Sequence, residues 1–137
     1  MRILGIDYGN RRTGVAISDE TEFLASSVGN VVENDPEKCA QKVAEIYRER
    51  GAQKIVLGLP KNMDGSSGFR VEHTLRFKEL LQQILPDTEI VMYDERMTTM
   101  AAAQYMNITD VRGKKRKNTI DTLAAKIILQ DYLDSKR

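Results

Sequence analysis

Apolar and polar positions along the 137 residues change period several times, and each change marks an element. Ile3-Leu4-Gly5-Ile6 ahead of Asp7 and Tyr8 predicts a short buried strand over residues 2–8. A turn at residues 9–12 leads to a second strand over 13–19. The polar run Asp19-Glu20-Thr21-Glu22 then turns the chain into a third strand over 23–32. Three strands joined by short connections predict an antiparallel meander. Asn34-Asp35-Pro36 starts a helix, with Asp35 as N-cap and Pro36 at the first helical position. Cys39, Val43, Ile46 and Tyr47 follow at helical spacing, and Gly51 ends the helix.

Residues 54–59 are β-branched and apolar, the pattern of a buried fourth strand, and 60–68 form a long loop around the turn pair Asp64-Gly65. A helix over 69–85 turns Leu80, Leu81, Ile84 and Leu85 towards the core, and Pro86-Asp87 stops it. A fifth strand covers 88–93, a short helix 98–107 and a basic loop 108–117. The last helix carries Ile120, Leu123, Ala124, Ile127 and Ile128 at i, i+3, i+4, i+7 and i+8, one apolar stripe. The order βββαβαβαα predicts an α/β fold, a five-stranded mixed sheet flanked by helices, in a single domain over 1–137.

Composition narrows the class. With 41% hydrophobic and 30% charged residues the chain has the balance of a folded globular protein. No apolar run approaches the roughly 18 residues of a membrane span. Asp7 interrupts the N-terminal apolar run too early for a signal peptide, so the expected location is cytoplasmic. One cysteine, Cys39, excludes an internal disulfide and a cysteine metal cluster; it reads as packing into the first helix's buried face. One histidine, His73, excludes a multi-histidine zinc site and reads as a helix-surface residue. The 21 basic and 20 acidic residues nearly cancel, but residues 112–117 read Arg-Gly-Lys-Lys-Arg-Lys. A mildly acidic body with one concentrated basic segment points to local contact with a polyanion.

Three sets of carboxylates stand out. Asp7 closes an apolar strand expected to be central, where a charge is costly unless a cation or N–H groups compensate it. It also reads as an ordinary turn aspartate opening Asp7-Tyr8-Gly9-Asn10. Asp94 and Glu95 end the fifth strand; adjacent side chains on an extended chain point to opposite sides, so one of the pair faces any given site. Asp121 falls on the rim of the last helix's apolar stripe, where a first-turn acid also suits the helix dipole. Strand-end and helix-rim carboxylates, without histidine or cysteine partners, suit Mg²⁺ or Mn²⁺. A two-metal carboxylate site supports in-line attack of water on a phosphodiester and requires no protein nucleophile. The Gly9–Gly14 turn brings Arg11 and Arg12 within reach of phosphates, or leaves them facing water in a hairpin turn.

Ile3-Leu4-Gly5-Ile6-Asp7-Tyr8-Gly9, Gly58-Leu59-Pro60-Lys61-Asn62-Met63-Asp64-Gly65, Asp94-Glu95-Arg96-Met97-Thr98-Thr99 and Asp121-Thr122-Leu123-Ala124-Ala125 together resemble the YqgF (RuvX) family. These are bacterial proteins of RNase H-like fold related to the RuvC Holliday junction resolvases. The resemblance spans essentially the whole chain. It implies an Mg²⁺- or Mn²⁺-dependent nuclease with Asp7, Glu95 and Asp121 as catalytic and metal-binding acids, Asp94 being the alternative second ligand. RuvC-type resolvases carry their second acid at the end of the fourth strand, where this chain has Leu57-Gly58-Leu59-Pro60. That departure favours processing of the 5′ end of pre-16S ribosomal RNA over resolution of four-way DNA junctions.

The expected nucleic-acid contacts are Arg11, Arg12, Lys61, Asn62, Arg96, Lys114, Lys115, Arg116 and Lys117. The partner is structured nucleic acid, with no membrane, and the protein is a monomer or homodimer. Two other classes compete. The actin-like ATPase and sugar kinase fold also opens on Gly-Ile-Asp-x-Gly but needs two lobes. A nucleic-acid-binding module without catalysis is separated from the enzyme by a metal-dependent cleavage assay.

Overall fold

The computed structural model describes residues 1–9, 11–59, 69–94 and 113–136, with residues 69 and 113–122 described by backbone path alone. The expected short helix over 98–107 and the loop over 60–68 lie outside the described residues. The strands are β1 (Arg2–Asp7), β2 (Arg12–Ser18), β3 (Ala25–Val32), β4 (Ala52–Leu59) and β5 (Glu89–Asp94). The helices are α1 (Pro36–Glu49), α2 (Phe69–Ile84) and α3 (Gly113–Ser135). The strands form one five-stranded sheet in the order β3-β2-β1-β4-β5. β1 to β3 pair antiparallel as the expected meander, whereas β1–β4 and β4–β5 pair parallel through helical crossovers. The α/β architecture with a mixed sheet is therefore as the periodicities indicated, and Asp7 ends the central strand.

Period-two alternation divides the sheet into two cores. Leu4, Ile6, Tyr8, Val15, Ile55, Leu57 and Ile90 pack on one face against Cys39, Val43, Phe77 and Leu81 of α1 and α2. On the other face Ile3, Ala16 and Val56 pack against Ala125, Ile128, Leu129, Tyr132 and Leu133 of α3. The capping expected for α1 is present: the Asp35 carboxylate accepts a hydrogen bond from Glu37 N at 3.0 Å, and Pro36 opens the helix. Gly51, just beyond the helix, has φ +67°, the left-handed conformation of a helix stop. Cys39 is fully buried, and His73 lies on the surface of α2.

Three expectations change. β3 begins at Ala25 instead of residue 23, because the Asp19 carboxylate accepts from the amides of Phe23 (2.8 Å) and Leu24 (3.1 Å) and holds both in the turn. Residues 113–117, expected in a loop, are helical and begin α3. Lysine and arginine lose little rotamer freedom in a helix, and the apolar segment downstream extends it backwards through them. The stripe of α3 is also rotated. Ala125, Ile128, Leu129, Tyr132 and Leu133 are buried, while Leu123, Ala124 and Ile127 are half-buried. The helix has a broad apolar arc, and contact with β1, β2 and β3 selects the part that is buried.

Candidate functional site

β1 is covered on both sides, and its C-terminal end brings Asp7 to the edge of the α3 face. Residues 3, 5 and 7 share that face, since Ile3 packs against α3 whereas Leu4 and Ile6 pack against α1 and α2. The next residue, Tyr8, turns to the opposite face and stacks on Phe77 with ring centroids 4.2 Å apart and planes 17° from parallel. Burial holds the Tyr8 hydroxyl above the usual tyrosine range, so the ring is a neutral anchor for the strand end. Gly9 follows, where a Cβ would meet the Arg12 carbonyl oxygen at 2.3 Å; the chain can turn this tightly only with glycine.

Register sets the neighbours of Asp7. It pairs with Gly14 of β2, and the pairing of Ile6 with Leu57 carries it alongside Gly58 of β4. Paired residues share a face, so the half-buried Asp7 side chain stands between two glycines. Its Oδ1 is shut off from solvent. Alternation along β2 also puts Arg12 on this face, one step beyond Asp7, and leaves Arg11 exposed in the turn.

The same rule separates the candidates at the end of β5. Ile90 and Met92 belong to the α1–α2 core, whereas Val91 and Tyr93 pack on the α3 side. Asp94 therefore falls on the face opposite Asp7, paired with Leu59. Glu95 lies outside the described residues, as do Lys61, Asn62 and Arg96.

α3 runs antiparallel to β1. Ala125 and Leu129 lie over Gly5, while Gln130 accepts from Ala25 N (2.9 Å) and donates to the Phe23 carbonyl (3.0 Å) at the other pole. Lys136 reaches Glu22 at that pole, at 3.7 Å. The N-terminal end of α3 is thereby directed to the pole where β1 ends at Asp7. Position 121 is one turn before Ala125. At roughly 100° per residue it falls inside the arc spanned by Ile128 and Leu133, which faces the sheet. Positions 114–117 occupy the first turns of the helix at the same pole.

A cavity of about 700 Å³ lies at the opposite pole, lined by Met1, Arg2, Glu20, Arg48 and Arg50 among others. Arg2 bridges its walls, contacting Glu20 at 3.9 Å and donating to the Arg50 carbonyl at 3.3 Å. Among the described residues no three His, Cys, Asp or Glu side chains are grouped to hold a metal ion. Asp7 is the one expected acidic ligand whose side chain is described on the α3 face. A hard carboxylate oxygen flanked by glycines suits a hard divalent cation.

Residues 1–135 match the family model described as RuvX: Holliday junction resolvase. The chain belongs to this family. Among curated relatives, an Acetivibrio thermocellus protein is 43% identical over 137 residues, covering 99% of this chain and 97% of its own length. A Staphylococcus carnosus protein is 46% identical over 136 residues, covering 98% and 96%. One from Bacillus cytotoxicus is 44% identical over 138 residues, covering 99% and 100%. All three are named "Putative pre-16S rRNA nuclease". Two solved structures share the fold at 13% identity. Thermus thermophilus RuvC in complex with a Holliday junction substrate superposes with TM-score 0.60, covering 99% of this chain and 96% of its own. The fowlpox virus resolvase with Holliday junction DNA gives 0.63, covering 99% of each. The RNase H-like fold expected from the motifs is the fold observed.

The glycines beside Asp7 were missed by motif reasoning. Gly58 drew attention as a missing carboxylate, but its place beside Asp7 follows only from strand pairing. Nothing local in the sequence marks Gly14 as the other neighbour.

Proposed function

We propose that this chain is a divalent-metal-dependent endonuclease that hydrolyses phosphodiester bonds of structured RNA, processing the 5′ end of pre-16S ribosomal RNA. The observation that carries this reading is the placement of Asp7: on the α3 face, between Gly14 and Gly58, at the pole towards which α3 sends its N-terminus. Names of the curated relatives, at 43–46% identity over nearly their whole length, support RNA as the substrate.

Asp7, Glu95 and Asp121 are assigned as the metal-binding acids. Strand parity counts against Asp94, which falls on the face opposite Asp7, and so favours Glu95 as the second acid. Mg²⁺ or Mn²⁺ held there would supply Lewis acidity for in-line attack of water and for departure of the leaving oxygen. The chain's own groups bind and orient the substrate. Arg12 is placed for a phosphate beside Asp7. Arg11, Lys61, Asn62, Arg96 and the helical Lys114, Lys115, Arg116 and Lys117 are assigned to the flanking backbone, where each contact adds affinity without reading sequence. A pre-ribosomal RNA substrate places the enzyme in the cytoplasm.

Resolution of Holliday junctions is the second reading, favoured by the description of the matching family and by the fold shared with junction resolvases. One experiment separates the two: cleavage of a pre-16S 5′ leader RNA and of a four-way DNA junction, with Mn²⁺ or Mg²⁺, by the native chain and by Asp7→Asn. Cleavage of the RNA that Asp7→Asn loses supports the maturation nuclease. Paired nicks confined to the junction replace it with the resolvase. Cleavage that survives Asp7→Asn refutes the metal assignment.

A further inference from the structure

Gly5 has no assigned role, yet it is where the helix carrying Asp121 touches the strand carrying Asp7. A Cβ built on Gly5 would lie 2.7 Å from Leu129 Cβ, 3.2 Å from the Ala125 carbonyl oxygen and 3.3 Å from Leu129 Cδ2. The first two atoms belong to the helix backbone or are attached directly to it, so rotamer change cannot clear them. Relief requires the helix itself to move away from β1, by about 1 Å to restore ordinary carbon–carbon contact. Ala125 and Leu129 are both fully buried, and a close-packed interface passes such a shift along the helix instead of absorbing it. Position 121 is one turn from Ala125, towards the pole of Asp7.

We propose that Gly5 is a positioning residue: its missing side chain sets the separation of α3 from β1 and so brings Asp121 level with Asp7. The proposal rests on the reading that these two acids share a metal site. Gly5 reaches neither metal nor substrate. It acts by letting the helix approach, and any side chain there would work as a wedge. A displacement of about 1 Å between groups that must act together lowers a rate by up to roughly 10²-fold.

The test compares a wedge with a cavity in the same interface. Gly5→Ala inserts a methyl group between β1 and α3. Leu129→Ala removes side-chain volume from the same contact and loosens it without pushing the helix outward. For both variants, Mn²⁺ affinity is measured by titration without nucleic acid, alongside thermal unfolding and single-turnover RNA cleavage. Gly5→Ala is expected to weaken Mn²⁺ binding roughly tenfold and to slow cleavage by up to roughly 10²-fold, with the substrate concentration for half-maximal rate unchanged. Leu129→Ala is expected to lower the melting temperature at least as much while keeping Mn²⁺ affinity within about twofold, since rotamer-scale repacking leaves the helix axis in place.

Native Mn²⁺ affinity in a folded Gly5→Ala protein overturns the proposal. So does a parallel loss of Mn²⁺ affinity and stability in both variants, which would make Gly5 a packing residue only. If Gly5→Ala does not fold, Ala125→Val thickens the same interface from the helix side and is judged by the same outcomes. Asp7→Asn run beside them tests the parent reading separately: unchanged Mn²⁺ binding in that variant refutes the shared metal site, whatever Gly5→Ala does.

Discussion

The two faces of the sheet differ in what touches the strands. On one face α2 sets the large side chains Phe77 and Leu81 beside the smaller α1 residues Cys39, Ala40, Val43 and Ala44, all fully buried in one core with Leu4, Ile6, Ile55 and Leu57. α3 covers the other face alone and meets β1 at a glycine. Large side chains interdigitate and fill space, which stabilises the fold but leaves helix-to-strand distance adjustable by repacking. Contact through glycine has little to repack, so it holds the distance tightly. The face with the tighter contact carries Asp7 and the sheet-facing position 121. The α1–α2 face carries Cys39, whose thiol burial pushes above its usual range and keeps out of thiolate chemistry.

This contrast is broken or sharpened first by a pair of substitutions. Asp7→Asn is expected to cost roughly 10²–10³-fold in cleavage, the kinetic equivalent of several kcal/mol of lost charge stabilisation, while urea unfolding stays near native. Phe77→Ala should do the reverse. Loss of a buried ring stacked on Tyr8 should cost about 3–5 kcal/mol in unfolding, with single-turnover cleavage of the folded fraction nearly unchanged at low temperature. A large kinetic defect in Phe77→Ala, at full folding, would show that the division of labour between faces is wrong.

A smaller effect concerns the first turns of α3. Replacing Lys114, Lys115, Arg116 and Lys117 together by glutamine should weaken RNA binding and flatten its salt dependence. Each lost phosphate contact removes roughly 0.7–0.9 from the logarithmic slope. An unchanged slope would detach the basic turns from the substrate.

The smallest prediction concerns acid stability at the far pole. Thr21 Oγ1 and the amides of Leu24 and Phe23 donate to Asp19 and lower its pKa from 3.8 to about 2. A folded pKa below the unfolded one adds stability above about pH 4, and this is lost as pH falls towards 2. Asp19→Asn should therefore flatten unfolding stability between pH 4 and 2 and leave RNA cleavage at neutral pH untouched. Equal pH dependence in both proteins would show that the turn is not held by the ionised carboxylate.

Much of this fold is local physics that can be read along the chain. The β-branched run of β4, the Asp35-Pro36 start and Gly51 stop of α1, and the short connections of the meander each follow from neighbours a few residues away. Asp7 at a central strand end, the acids at 94, 95 and 121, and the basic segment were all visible as residues. Their arrangement was not. A helix whose apolar arc is broader than its contact has no unique buried stripe, so its rotation is fixed only where α3 packs on β1, β2 and β3 and buries Ala125 and Leu129. A pair of adjacent carboxylates at a strand end has no preferred side until the strand is paired. Only the register of β2, β1, β4 and β5 turns Asp94 away from Asp7 and sets Gly14 and Gly58 beside it. Side-chain period and capping depend on a few neighbouring residues, which the chain itself specifies. Face, rotation and approach distance depend on contacts between separate segments, such as β1 with β2 and β4, β4 with β5, and β1 with α3, and these exist only once the core has closed.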